Sequence, residues 1–202
     1  MTWGPGYRIL VPAVQAPHLL ESLKVVAALL RDAGVPFALG GGMAAWARGG
    51  PPTEKDIDLL IREVDADQAL EVLAAGGLRT ERPPEGWLVK AYHGDVLIDL
   101  IYRPAGVQVD VDLLERCDVL GVHAVPMPVM RVDDLLVTKL MALTEHNLDY
   151  GPTLEIARAL REQVKWDDVW DRTCSSPFAR AFFALADELG LKERTLAEGP
   201  GA

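Results

Sequence analysis

The sequence predicts an α+β fold: a small mixed sheet flanked by helices, followed by a C-terminal helical bundle. Three observations predict it. Up to about residue 125, short apolar runs alternate with helix-compatible segments, whereas from Arg131 onward the chain reads as helices only. The run at 56–61, DIDLLI, sets two carboxylates into an otherwise apolar strand. Composition suits an ordinary packed core, with 50% hydrophobic and 25% charged residues in a chain of 202.

The elements follow in order. Residues 1–15 are an apolar, proline-interrupted lead-in with a short strand at 7–11. Residues 16–33 place Leu19, Leu20, Leu23, Val26, Leu29 and Leu30 on one side of a helix, which Gly34 and Pro36 stop. Residues 36–39 read as a short buried strand, 40–42 as a glycine turn and 43–48 as a short helix, broken by the Gly/Pro stretch at 49–52. A strand at 56–61 and a helix at 65–75 come next, with Asp65 or Asp67 near the helix start and Gly76-Gly77 past its end. Strand-like runs at 87–92 and 96–102 flank His93-Gly94-Asp95, a hairpin signal that makes His93 and Asp95 turn residues. Residues 108–120 are ambiguous, and Asp110 and Asp112 within them read as a solvated or capping pair. Residues 122–130, with Pro126 and Pro128, read as an edge strand or an extended connector.

Four helices complete the pattern: 132–144, 153–164 behind Pro152, 166–173 capped by Asp167, and 176–189, before a fraying tail at 190–202. Trp166 and Trp170 read as bundle core, and Trp46 as packed under the sheet. The chain thus divides into an α/β unit at 1–125 and a bundle at 126–202, which share an interface because no flexible linker separates them.

Charge and composition narrow the functional classes. A net charge of −10 argues against broad, non-specific nucleic-acid binding, which rests on Lys and Arg neutralising phosphates. No apolar run reaches the roughly 18 residues of a membrane span. The start, MTWGPGYRIL, lacks the basic and apolar regions of a signal peptide. Cys117 and Cys174 are far apart and read as reduced, packed thiols, which points to the cytoplasm. The four histidines form no metal pattern.

The carboxylates in the strands need a reason, because strands disfavour Asp and burying an isolated carboxylate is costly. Strand side chains alternate, so Asp56 and Asp58 point to the same face. Asp99 sits in a second apolar strand, VLIDLIY, and joins them if that strand lies alongside. Clustered carboxylates repel one another unless protonated or bound to a cation, and hard oxygen ligands suit Mg²⁺ or Mn²⁺. A glycine turn running into a helix offers backbone N–H groups to phosphate oxygens, and Gly41 and Gly42 allow close approach. Together these features point to a metal site that handles nucleoside triphosphate.

Gly41-Gly42-Met43-Ala44, then Asp56-Ile57-Asp58-Leu59, then Ile98-Asp99-Leu100 resembles the signature of the DNA polymerase β-type nucleotidyltransferase superfamily. The closest look is to its small bacterial members, the toxin-type (AbiEii-like) and antibiotic nucleotidyltransferases, which place a helical bundle after the catalytic sheet. The resemblance implies that Asp56 and Asp58 hold the metal ions and that Asp99 completes the site as base on an acceptor hydroxyl. It also implies that Lys139 contacts the triphosphate, although a Lys on the apolar side of its helix can instead snorkel to the surface. Many relatives carry an Arg and a Thr in the turn before the Asp pair. Here Thr53 sits one residue early and no Arg occupies the turn, which leaves Arg48 or Lys55 to supply that charge. Residues 145–150 read as a helix-connecting loop capped by Asp149, or as a lining of the acceptor side.

The expected activity is transfer of a nucleoside monophosphate from a triphosphate to an acceptor hydroxyl, on a protein, a tRNA or a small molecule. A toxin-like role would bring an antitoxin partner. The acidic balance leans toward a small cationic substrate or a protein. The other class of reading is a non-catalytic nucleotide- or partner-binding member of the same fold.

Overall fold

The structure, a computed structural model, describes residues 17–53 and 56–192. The expected strand at 7–11, Lys55 and the tail beyond residue 192 lie outside the described residues.

The first helix, α1 (Pro17–Asp32), buries Leu19, Leu20, Leu23, Val26, Ala27 and Leu30, and the chain turns out of it at Gly34, whose φ is +70°. Then follow β1 (Phe37–Leu39), α2 (Gly41–Ala47), β2 (Ile57–Ile61), α3 (Ala66–Ala75), β3 (Arg79–Glu81), β4 (Leu88–His93) and β5 (Val96–Ile101). The α/β unit ends with α4 (Val111–Glu115), β6 (Asp118–Val122) and β7 (Val125–Val129). The bundle comprises α5 (Val132–Met141), α6 (Gly151–Ala159), α7 (Trp166–Thr173) and α8 (Pro177–Glu188).

The strands form one mixed sheet of seven in the order β3-β4-β5-β2-β1-β7-β6. β1 runs antiparallel to β2 and parallel to β7, and β2 runs parallel to β5. Alternation divides its faces. Ile57, Leu59, Ile61, Ile98 and Leu100 are fully buried on one, while Asp58, Asp99 and Ile101 stand half-buried on the other. α1 and α3 pack against the β5 and β4 side of the sheet. No helix among the described residues is long and apolar enough to cross a membrane.

Several local expectations change. β3 is a strand that its polar sequence, Arg-Thr-Glu, did not announce; pairing with β4 holds it, rather than burial. The ambiguous stretch resolves into α4 and β6, and Asp110 caps α4 by accepting the Leu113 N–H at 2.9 Å. β7 is not the sheet edge, since β6 lies outside it. Its prolines are tolerated because the missing N–H groups face the side where β7 meets β1 only at Leu39↔Val129. On that side the Pro126 carbonyl accepts from Arg31 Nη2 at 3.0 Å. In the bundle, Pro152 sits inside α6 rather than before it. Asp167 lies in the first turn of α7, behind Lys165 as the N-cap residue. Trp170 packs edge-on to Phe183 at 5.0 Å but is 39% exposed, so the tryptophans form the rim of the bundle core and not its centre.

Polar clamps join sheet and bundle. Asp134, on α5, has a side chain only 2% exposed; it accepts from Arg116 Nη2 at 2.8 Å and from Arg172 Nη2 at 2.6 Å. It thereby links the turn after α4 to α7. Asp133 accepts the Lys165 backbone N–H at 2.7 Å, just ahead of α7.

Candidate active site

The parallel pairing of β2 with β5 decides the geometry. Its register sets Asp58 directly beside Asp99. Asp56 leads into β2 from the loop, and Asp56, Asp58 and Asp99 each offer one carboxylate oxygen within 4.8 Å of the others. All three are half-buried. The Gly40 N–H donates to the Asp58 carbonyl at 2.8 Å, which carries the β1–β2 pairing up to the glycines. Gly41, at φ +53°, lies so close that a Cβ there would fall on the Asp58 carboxylate. A Cβ on Gly42 would come within 2.8 Å of Thr53 Oγ1, so the turn threonine packs over the glycine backbone.

The cluster is electrostatically costly as it stands. Burial, together with the charges of Asp56 and Asp99, pushes the Asp58 carboxyl up to about 7, against a pull from the Lys139 ammonium. Burial also raises the Asp99 carboxyl, opposed by Lys90. Asp99 Oδ1 is buried and accepts no hydrogen bond. A buried carboxylate oxygen that meets the Lys90 ammonium at 3.3 Å without a well-formed hydrogen bond, within an all-oxygen, triply acidic donor set, is what a hard divalent cation would satisfy, so these residues fit Mg²⁺ or Mn²⁺.

Beside the carboxylates opens a cleft of about 530 Å³, between the half-buried sheet face and α5. Gly41, Asp58 and Lys139 are among its lining residues. Leu60, Ile101, Met130, Leu135 and Ala142 supply apolar wall, and Trp87, 41% exposed, stands at its margin. Its other polar groups are Thr138 and Arg103, and Arg103 is paired with Glu63 at 2.7 and 3.0 Å.

The structure therefore brings together Asp56, Asp58 and Asp99, with Gly41 against Asp58, Gly42 beside Thr53 and Lys139 in the adjoining cleft. It does not bring Arg48. The Arg48 side chain is 7% exposed and donates to the Met130 and Val129 carbonyls, at 2.7 and 2.9 Å, and to Asp118 at 2.7 Å. It clamps α2 to the end of β7 and cannot stand in for a turn arginine. Asp149 accepts the Gly151 N–H at 2.9 Å from the position before Tyr150, the N-cap residue of α6, so it supports the helix start without being its cap. Sequence reasoning passed over Lys90, whose ammonium lies 3.3 Å from Asp99 Oδ1, and over the cleft residues Trp87 and Thr138. The sequence reading hid Lys90 because it made His93 a turn residue, which opposes Lys90 to Ile98; His93 instead ends β4 and pairs with Val96, so that the turn is Gly94-Asp95 and Lys90 falls opposite Asp99.

A mixed sheet with a glycine turn, three converging strand carboxylates and a following helical bundle defines a protein of the nucleotidyltransferase class. The chain belongs to the family described as nucleotidyl transferase of unknown function (DUF2204), which it matches over residues 19–166. Among solved structures it is similar to the antibiotic-resistance factor ANT(2'')-Ia in solution, at 16% identity and a TM-score of 0.59 over 85% of this chain and 96% of that one. The crystal structure of ANT(2'')-Ia in complex with adenylyl-2''-tobramycin matches at 17% identity and a TM-score of 0.50, with the same coverage of 85% and 96%. The Thermotoga maritima protein TM1012 matches at 15% identity and a TM-score of 0.54, over 63% of this chain and 86% of that one. At such identities the likeness is one of fold. No curated protein matches the sequence.

Proposed function

We propose that the protein is a divalent-metal-dependent nucleotidyltransferase that moves a nucleoside monophosphate from a nucleoside triphosphate to an acceptor hydroxyl. The observation that carries this reading is the Asp58↔Asp99 register, which gathers three carboxylate oxygens within 4.8 Å beside a glycine turn. Asp56, Asp58 and Asp99 would hold Mg²⁺ or Mn²⁺. When bound, the metal ions lower the pKa of the attacking hydroxyl and neutralise charge on the leaving pyrophosphate. Asp99 would take the proton of the acceptor hydroxyl. The backbone at Gly41 and Gly42 receives triphosphate oxygens, Lys139 adds positive charge from α5, and the apolar cleft wall suits a nucleobase.

For the acceptor, the cleft revises the lean drawn from net charge. Its lining includes Lys139 and Arg103, and Asp58 as its one carboxylate. A polycationic acceptor would find little counter-charge there, so a neutral small molecule or a protein hydroxyl suits it better. With a protein or tRNA acceptor the enzyme would be toxin-like and would call for an antitoxin partner. A cytoplasmic setting fits the two free thiols. The engagement of Arg48 elsewhere favours a second reading, a member that binds nucleotide without turning it over.

The test is transfer of labelled nucleoside triphosphates with Mg²⁺ or Mn²⁺ across protein, tRNA and small-molecule acceptors. Turnover that disappears in the Asp56→Ala/Asp58→Ala protein supports the enzyme. Nucleotide binding without turnover supports the second reading, and neither binding nor turnover defeats both. Within the enzyme reading, Gly41→Ala is expected to lower kcat/KM by about 10²-fold, because its methyl displaces the Asp58 carboxylate by an ångström or so. Steady-state kinetics on the folded variant check this.

A further inference from the structure

Lys90 occupies an unusual place for a lysine, in the middle of β4, on the face that carries the carboxylates. It pairs across β4–β5 with Asp99 and across β3–β4 with Glu81. Glu81 is already engaged, by Tyr92 Oη at 3.2 Å and Arg79 at 3.6 Å. The Lys90 ammonium turns to Asp99 instead, 3.3 Å from Oδ1, with its side chain 24% exposed and that of Asp99 13% exposed. Yet Asp99 Oδ1 accepts no hydrogen bond. The contact neutralises charge without fixing direction, so the oxygen remains ready for a better-placed cation.

We propose that Lys90 is a built-in counter-ion that holds Asp99 until a divalent ion takes its place, so that Lys90 sets the metal affinity of the site. This rests on the reading of Asp56, Asp58 and Asp99 as metal ligands. Lys90 acts through Asp99 and is a positioning residue. Without it, the three carboxylates would face one another, opposed at Asp58 by the Lys139 ammonium of the adjoining cleft. With it, the metal-free cluster tolerates an ionised Asp99, at the expense of competition with the metal. The flexible four-carbon stem and its partial exposure let the ammonium swing into water when displaced.

The test follows free Mn²⁺ by electron paramagnetic resonance in titrations of the wild type, Lys90→Gln, Lys90→Arg and the Asp56→Asn/Asp58→Asn double variant, each checked for folding by thermal denaturation. Lys90→Gln is expected to bind Mn²⁺ about fivefold tighter than wild type or more, the scale of a partly exposed ion pair removed from competition. Lys90→Arg, which keeps the charge, is expected to stay within about twofold of wild type. The double variant is expected to lose the binding. Equal or weaker binding by Lys90→Gln, with the double variant still defective, overturns the role of Lys90 and leaves the metal site standing. Binding by none of the proteins, or undiminished binding by the double variant, overturns the metal site and this proposal with it.

Discussion

Asp58→Asn is expected to abolish nucleotidyl transfer while making the metal-free protein more stable. The two effects share one cause. Asp58 lies between Asp56 and Asp99, in a half-buried pocket that disfavours its charge, so its carboxyl is raised from 3.8 to about 7. An acid whose folded pKa lies above its unfolded value binds its proton more tightly in the native state. As pH rises from about 4 to about 7, the unfolded chain has released the proton and the native state has not, so stability falls through that window and stays reduced above it. Asn keeps the shape and removes the charge. After allowance for partial solvent screening, the variant should gain about 2 kcal/mol at pH 8, or roughly 4–8 °C in Tm for a chain of this size. Activity should fall by about 10³-fold or more, because the proposed metal site would lose one of its carboxylates. Mg²⁺ should raise the Tm of the wild type and leave that of the variant nearly unchanged. Thermal denaturation between pH 4 and pH 8, with and without Mg²⁺, checks the stability effects, and a radiolabel transfer assay checks activity. A variant that is inactive but no more stable than the wild type would count against the electrostatic account of the cluster.

Asp134→Ala is expected to be strongly destabilising although it lies outside the candidate site. The Asp134 carboxylate is almost wholly inaccessible and receives guanidinium groups from Arg116 and Arg172, which lie on opposite sides of the sheet–bundle boundary. Removing it leaves two arginines facing a dry pocket and severs both links. The cost should be about 3 kcal/mol, toward the lower end for a broken buried pair because both arginines reach solvent, and the Tm should drop by roughly 6–12 °C. Burial works to raise the Asp134 carboxyl, but hydrogen bonds and charge from the Arg116 and Arg172 guanidinium groups outweigh it and hold the carboxyl below its usual 3.8. Its contribution is therefore full above pH 4 and is lost as pH falls through its depressed folded value. Chemical denaturation at pH 7 and near pH 3 checks this: the gap between wild type and Asp134→Ala should narrow at the lower pH. A gap that is constant across that range would assign the loss to packing alone.

Much of the fold was legible in the sequence because local rules govern it. The helical spacing of Leu19, Leu23, Val26 and Leu30 specified α1, and the polar hairpin turn specified β4 and β5. Elements held by partners rather than by their own patterns were harder to see. β3 is polar and exists through β4. The position of β7 inside the sheet depends on β6, whose exposed, glycine-containing sequence carries little strand signal.

The candidate site divides along the same line. The sequence by itself determined that Asp56 and Asp58 share a face, because strand side chains alternate, and that Gly41 and Gly42 leave the backbone open beside them. It left the Lys90–Asp99 pairing open, because that register depends on whether His93 ends the strand or joins the turn. Only the tertiary structure decided that β5 lies parallel to β2 with Asp99 level with Asp58, that Arg48 is spent on β7, and that Lys139 reaches the cleft. Those outcomes rest on long-range register and on the docking of α5 against the sheet. No local periodicity encodes them, because they are set by which buried faces fit together once every element has formed.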